Sequence, residues 1–222
     1  MTAFHEIYEA ACARMGGEAA VKRRLPKPKS AKSLKALGDD RYLSMMSLRI
    51  FRAGLKHSVV DAKWPAFEAA FDGFDPRRCA HMSDEDIDRL LGDTRLIRHG
   101  GKIQAVRKNA AAMIEIAKEH GSFGAWLADW PGERIVDLWD ELRKRFSQLG
   151  GNSGPMFLRM AGKDSFVLSE DVRRGLMHWA GVASPVKGKA GERQAQEAFN
   201  AWHKETGRPL SELSMILALS TD

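Results

Sequence analysis

The chain has 222 residues, 44% of them hydrophobic and 29% charged, with a formal net charge of +6. That length and apolar content suit one compact domain or two small ones with a buried core, and they exclude a disordered chain; no apolar run approaches the length of a membrane span. The positive sign favours a polyanionic partner, while two cysteines, Cys12 and Cys79, without CxxC spacing exclude a disulfide framework.

The opening, MTAFHEIYEA, is charged early and lacks an apolar signal core, so a cytoplasmic location is expected, nucleoid-associated in a bacterium. A small N-terminal helical pair ends at the Pro- and Lys-rich connection Leu25–Lys32, inside a basic run from Lys22 to Lys35. Leu43, Met46, Ile50, Phe51 and Gly54 then recur at helical spacing. Ser83 followed three residues later by Asp86 is a capping-box pattern and predicts a helix through Leu91. Ile103, Val106, Ala110, Met113, Ile114 and Ala117 stripe a helix that starts near Gly101, within the basic cluster Arg95–Lys108, and stops at Gly121. Ile135, Leu138, Trp139, Leu142 and Phe146 mark another, whose end is the basic cluster Arg143–Arg145. Past the glycine-rich stretch Leu149–Gly154 and its following helix, the apolar run Phe166-Val167-Leu168 leads to Ser169-Glu170-Asp171 at a helix start. Ser184–Gly191 separates the last two helices, about Glu192–Thr206 and Leu210–Ala218, from the preceding chain. No alternating Val/Ile/Thr run appears, so the fold class is all-α. The expected organisation is a single domain, with a core over about 39–181 and helical extensions 1–38 and 182–222 packing on it. Without a coiled coil or a long exposed apolar helix, a monomer is expected.

Leu149-Gly150-Gly151-Asn152-Ser153-Gly154 places several backbone N–H groups with little side-chain bulk directly before a helix N-terminus, where anions bind. Glycines also let successive amides form a concave nest, and Pro155 fits as the first residue of the following helix. This is the layout of a helix–hairpin–helix DNA-binding element; an ordinary loop between packed helices uses glycines equally well.

Several motifs stand in one order: Ala53-Gly54-Leu55, Phe74-Asp75-Pro76, Asp86-Ile87-Asp88-Arg89-Leu90, Ile97-Arg98-His99-Gly100-Gly101-Lys102-Ile103, and then the glycine hairpin. On these residues the span from Tyr42 to Gly181 resembles the 3-methyladenine DNA glycosylase I family of the helix–hairpin–helix glycosylase superfamily. The resemblance implies a helix–hairpin–helix glycosylase-like helical bundle. It also implies a monofunctional DNA glycosylase of base-excision repair, with alkylated purines in double-stranded DNA as substrate and 3-methyladenine as the expected base. Such an enzyme flips the base, uses water as nucleophile and needs no cofactor. The alternative is a non-catalytic helix–hairpin–helix DNA-binding or damage-recognition protein. A third reading, a helical scaffold without a nucleic-acid role, requires the hairpin and basic clusters to be coincidence.

The family usually has a Cys-x-Trp opening and later His and Cys residues that complete a zinc site. Here the N-terminus has His5 and Cys12, the C-terminal part has no cysteine, and His178 and His203 are isolated, so no metal is expected. Arg49 stands where the family places a carboxylate that reads the excised base, and His57 replaces an aromatic. A cationic Arg49 is unfavourable beside a positively charged methylated adenine; alternatively it is a salt-bridging helix residue.

The superfamily's carboxylate past the hairpin stabilises the oxocarbenium-like sugar and helps activate water. Asp171 is the candidate for that role, with Glu170 as the near alternative, although Ser-Glu-Asp also suits a helix's first turn. Leu55, Lys56 and His57, with Arg49, are the candidates for base pocket or lesion contact. Phosphate contacts are expected from Gly151, Asn152, Ser153, Gly154 and Lys163, assisted by Arg98, His99 and Lys102. Trp64, Phe67, Phe71, Trp126 and Trp139 offer stacking surfaces, but aromatics at helical spacing are more often core.

Overall fold

The computed structural model describes residues 2–183 and 186–221, so Ser184 and Pro185 of the expected Ser184–Gly191 connection lie outside the described residues. The described residues form α-helices joined by short loops, with no strand among them. In chain order the helices are α1 (Phe4–Met15), α2 (Glu18–Lys22), α3 (Ala31–Lys35), α4 (Asp39–Arg52), α5 (His57–Ala70), α6 (Pro76–Ala80) and α7 (Asp84–Gly92). They continue as α8 (Gly100–His120), α9 (Phe123–Asp129), α10 (Ile135–Arg145), α11 (Ser153–Ala161), α12 (Glu170–Ala180), α13 (Gly188–Thr206) and α14 (Leu210–Leu219). No described helix is long and apolar enough to cross a membrane.

The chain divides into two compact units. The hairpin unit holds Ser30–Asp129 and Asp140–Ala161; the terminal unit holds Met1–Lys29, Trp130–Trp139 and Gly162–Asp222.

In the hairpin unit, α4 is the central element, packed by α5, α8 and α11. Its apolar residues Leu43, Met46, Ile50 and Phe51 are all buried, as their spacing predicts, while Gly54 lies past the helix end. The start of α4 is fixed by Asp39, whose carboxylate accepts the Phe123 N–H at 3.1 Å, and by the Tyr42 hydroxyl, which donates to the Leu34 carbonyl at 2.8 Å. On α5, Trp64 stacks on Phe67 and on Phe74, and Phe71 continues the near-parallel series. The capping box of α7 forms in both directions: the Asp86 N–H donates to Ser83 Oγ at 3.2 Å and the Ser83 N–H to Asp86 Oδ2 at 3.0 Å. This satisfies two N–H groups that a helix start otherwise leaves unpaired.

In the terminal unit, α1 is held by the last helices. The Thr2 N–H donates to the Trp179 carbonyl at 3.0 Å, Trp202 Nε1 donates to the Thr2 carbonyl at 3.2 Å, and the Phe4 N–H donates to Glu205 at 2.8 Å. Trp139, Phe166, Phe199 and Trp202 form a buried aromatic chain with centroid separations of 4.7, 4.3 and 5.7 Å. Phe67, Phe71, Trp126 and Trp139 are therefore core residues of their units; Trp64 is half-buried.

Candidate active site

Hairpin and helix positions differ in detail from the sequence reading. α11 begins at Ser153, so Pro155 is its third residue. A first-turn residue has no intrahelical acceptor for its N–H, so proline costs nothing there. The turn before α11 is built by Gly151 at φ +55°, a region that favours glycine. Gly150 and Gly151 are exposed, with open space where a Cβ would lie. Gly154 differs: it is buried, and a Cβ there would meet the Leu149 carbonyl at 3.2 Å and Leu142 Cδ1 at 3.5 Å, so it permits close packing under the turn. Ser153 donates its N–H to the Gly150 carbonyl at 3.1 Å, and Asn152 accepts the Met156 N–H at 3.0 Å.

The entry to the turn is held by Asn109, a residue that the sequence reading missed. Asn109 is fully buried on α8; its Nδ2 donates to the Ser147 carbonyl at 3.1 Å and its Oδ1 accepts the Ser147 N–H at 2.7 Å. The next residue, Gln148, has φ +66°, uncommon for a non-glycine, and this two-point hold braces it. The signal available was an amide side chain directly before Ala110 in an otherwise apolar stripe. The N-terminus of α8 lies beside the same segment, since a Cβ on Gly101 would come within 3.6 Å of Gln148 Nε2. Arg98 and His99 are exposed there, and His99 Nδ1 caps α8 by accepting the Lys102 N–H at 3.4 Å.

Lys102, expected at phosphates, turns inward. It is 7% exposed, and its ammonium donates to the Ala53 carbonyl at 2.7 Å and the Phe51 carbonyl at 3.2 Å. These are carbonyls that the end of α4 leaves unpaired, and a cation suits a helix C-terminus. Burial first, and then the charge of Arg49, push the Lys102 ammonium below the usual lysine range. Lys102 thus joins the hairpin side of α8 to the end of α4, where Leu55, Lys56 and His57 follow. All three are exposed, and Leu55 (43%) and Val59 (51%) are large apolar side chains held in solvent.

Arg49 is half-buried on α4 and is not a salt-bridging residue among the described ones; its Nε is shut from solvent without a hydrogen-bond partner among them. Burial and then the charge of Arg52 pull its guanidinium below the usual arginine value. Arg52 is itself paired with Asp61, Nη2 to Oδ1 at 2.7 Å.

Glu170, Asp171 and Lys163 belong to the terminal unit. Ser169 caps α12 by accepting the Val172 N–H at 3.3 Å; Glu170 is exposed; Asp171 is partly exposed and paired with Arg174 one turn on, at 2.5 Å. Lys163, also expected at phosphates, is 8% exposed, and its ammonium donates to the Trp130 carbonyl. The neighbouring Asp164 spends both carboxylate oxygens on the Leu210 and Ser211 N–H groups at the start of α14, each at 2.9 Å. No group of three or more His, Cys, Asp or Glu residues able to hold a metal occurs among the described residues.

Residues 33–149, just over half of the chain, match the family model described as Methyladenine glycosylase. The chain belongs to the methyladenine glycosylase family. The match includes α4, the Leu55–His57 segment and the start of α8, and it ends at Leu149; the exposed glycines of the turn, Lys163, Glu170 and Asp171 lie beyond it. The DNA-3-methyladenine glycosylase 1 of Escherichia coli (strain K12) is 39% identical over 79 residues, 36% of this chain and 42% of that protein. The DNA-3-methyladenine glycosylase of Haemophilus influenzae is 32% identical over 117 residues, 48% of this chain and 63% of that protein. The matched region thus spans less than two thirds of either curated relative. Among solved structures, a Glu-to-Gln variant of 3-methyladenine DNA glycosylase I from Staphylococcus aureus gives a TM-score of 0.52 at 23% identity, covering 68% of this chain and 90% of that one. A Tyr-to-Phe variant of 3-methyladenine DNA glycosylase I in complex with 3-methyladenine gives 0.51 at 24% identity, over 64% and 83%. At those identities the likeness shows the shared all-α fold.

Proposed function

We propose that this chain is a monofunctional DNA glycosylase of base-excision repair, acting on an alkylated purine in duplex DNA. Membership of residues 33–149 in the family is the observation that carries the reading. The relatives are named for 3-methyladenine, which makes that base the reference substrate. The duplex backbone meets the open Gly150–Ser153 turn and the exposed Arg98 and His99, in line with anion binding at helix starts. The target nucleotide rotates out of the stack, and exposed Leu55, flanked by Lys56 and His57, contacts the space it leaves. Arg49 faces the base. With Lys102 and Lys163 donating to interior carbonyls, their part is to hold backbone rather than phosphate.

Cleavage of the N-glycosidic bond sends its electron pair to the base and leaves positive charge on C1′ of the sugar. Asp171, or failing it Glu170, stabilises that charge and accepts the proton of the water that adds to C1′. No lysine nucleophile and no cofactor enter, and the chain works as a cytoplasmic monomer.

The test is base release from a randomly methylated duplex, with the freed bases identified by mass. Wild type is expected to release alkylated purine, and Asp171→Asn to release it about 10²-fold more slowly with unchanged duplex affinity. Wild-type affinity should fall steeply with added salt. Duplex binding without release of any base would replace the enzyme with a damage-recognition protein.

A further inference from the structure

The positive charge of the chain is concentrated in one segment. Between Glu18 and Asp39 stand seven lysines and arginines, from Lys22 to Lys35, and no acidic residue. The net charge of the whole chain is +6, so everything outside this segment sums to −1 (six less seven). The other two basic clusters are largely neutralised where they stand: Arg95 pairs with Asp93, Arg107 with Asp84, Arg143 with Asp140, and Lys144 and Arg145 with Glu141. In the terminal unit's share of the segment, Lys22 has Glu18 at 2.9 Å, whereas Arg23, Lys27 and Lys29 are exposed and have no ion pair among the described residues. A block of like charges repels itself, yet here its backbone is pinned. Pro26 and Pro28 each fix φ near about −65°. Leu25, Pro26 and Pro28 are half-buried, while Lys27 and Lys29 alternate with them in solvent. The Lys29 N–H donates to the Gly162 carbonyl at 2.8 Å, and the Lys29 stem lies so close over Gly162 that a Cβ there would meet its Cγ at 2.7 Å.

We infer that Arg23, Lys27 and Lys29 are a contact surface for the phosphate backbone of duplex DNA, in addition to the glycine turn and indifferent to the base. The inference rests on the reading of the chain as an enzyme of duplex DNA and adds a partner surface to it. All three residues precede position 33, where the family match begins, so the contact is an addition to what the family model describes. Exposed cations spread along a connection suit a polymer whose charge repeats without regard to sequence, and duplex DNA presents one negative charge per about 1.7 Å of axis. A pre-set backbone lowers the ordering cost of meeting it. The charge has work to do there, because the glycine turn offers neutral amides and the ammonium groups of Lys102 and Lys163 donate to carbonyls. Release of counterions on binding, the source of salt dependence, therefore falls chiefly to Arg98 and to these three side chains.

The test is affinity for an undamaged duplex, read by fluorescence anisotropy across a range of salt, with circular dichroism verifying the fold of each variant. Each phosphate contact contributes about 0.9 to the slope of log affinity against log salt, so Arg23→Gln/Lys27→Gln/Lys29→Gln should flatten it by about 2.7. Over a fourfold rise in salt, wild type should then lose about 40-fold more affinity than the variant. The charge-keeping Arg23→Lys/Lys27→Arg/Lys29→Arg should retain the wild-type slope. So should Arg89→Gln/Lys118→Gln/Lys144→Gln, which removes the same charge from cations already paired with carboxylates. An unchanged slope in the first variant overturns the inference. Equal flattening by the last variant also overturns it, since net charge alone would then set the slope. Vesicles of anionic phospholipid separate the remaining partner: binding to them that the first variant loses, with the duplex slope unchanged, would assign the surface to a membrane. Because the duplex is undamaged, the result is independent of turnover. A flattened slope in a protein that releases no base would remove the glycosylase reading and leave this contact standing; base release with an unflattened slope would do the reverse.

Discussion

The end of α4 and the start of α12 each carry a charged residue proposed above to take part in the chemistry, in surroundings that differ sharply. Asp171 has Arg174 one turn along its own helix and stands behind a serine cap, so its charge is balanced within a few residues of sequence. Arg49 has like charges for neighbours, a sealed Nε, and no carboxylate of its own among the described residues. A charge balanced by its own helix is what any soluble helix start displays, so the proposed role of Asp171 stands on its place after the hairpin, and the base-release rate of Asp171→Asn is what tests it. A charge kept against local electrostatics is held by packing from several elements, and such positions concentrate where a ligand completes the arrangement.

Three substitutions sharpen or break this contrast. The largest effect is expected from Lys102→Met, which strips donors from the Phe51 and Ala53 carbonyls and should cost about 1–3 kcal/mol in urea unfolding. A neutral outcome would mean that the end of α4 does not depend on that ammonium. Arg49→Met should act in the opposite direction, raising stability by roughly 1 kcal/mol, as removal of an ill-matched buried polar group commonly does. That gain should carry a pH signature through Lys102. A lysine whose folded pKa lies below its ordinary 10.5 makes the unfolded chain the better proton binder, so stability rises with pH between the two values. Removing Arg49 lifts part of the depression and should flatten that rise; an unchanged slope would show that burial alone sets it. The smallest effect belongs to Arg174→Ala, a partly exposed i,i+3 pair worth about 0.2–0.5 kcal/mol, read as a shift of the thermal midpoint. A loss several times larger would place Asp171 in something more demanding than a surface pair.

Local chemistry was legible in the sequence because it is written in adjacent residues. Ser83 and Asp86 form their capping box, the stripe from Ile103 to Ala117 lies on one helix ending before Gly121, and Leu43, Met46, Ile50 and Phe51 are buried. The order of motifs from Ala53 to Ile103 pointed to the family that the match over 33–149 establishes. The directions of long polar side chains were not legible. Lys102 and Lys163 sit among basic and glycine-rich residues that suggest a phosphate surface, yet each finds an unpaired carbonyl nearer than solvent: Ala53 is 49 positions away in the chain and Trp130 is 33. Asn109 escaped for the same reason, since its partner Ser147 is 38 positions on and nothing local marks the pairing. Composition reveals that a lysine is basic; only the folded backbone shows which carbonyl lies within its reach.

The terminal unit is assembled from three separated stretches of chain, and this orders events during synthesis. All of the hairpin unit has been made by the time Ala161 is joined, whereas α1 waits for α13 and α14 before Phe4, Ile7 and Ala11 find cover. Until then the nascent chain carries an apolar helix face with nothing to close on, the kind of surface that chaperones shield and proteases exploit. Quality control at the ribosome thus bears on the first helix and the last two together: a transcript cut short before α13 would yield a chain able to build the glycine turn of the hairpin unit while advertising itself for degradation.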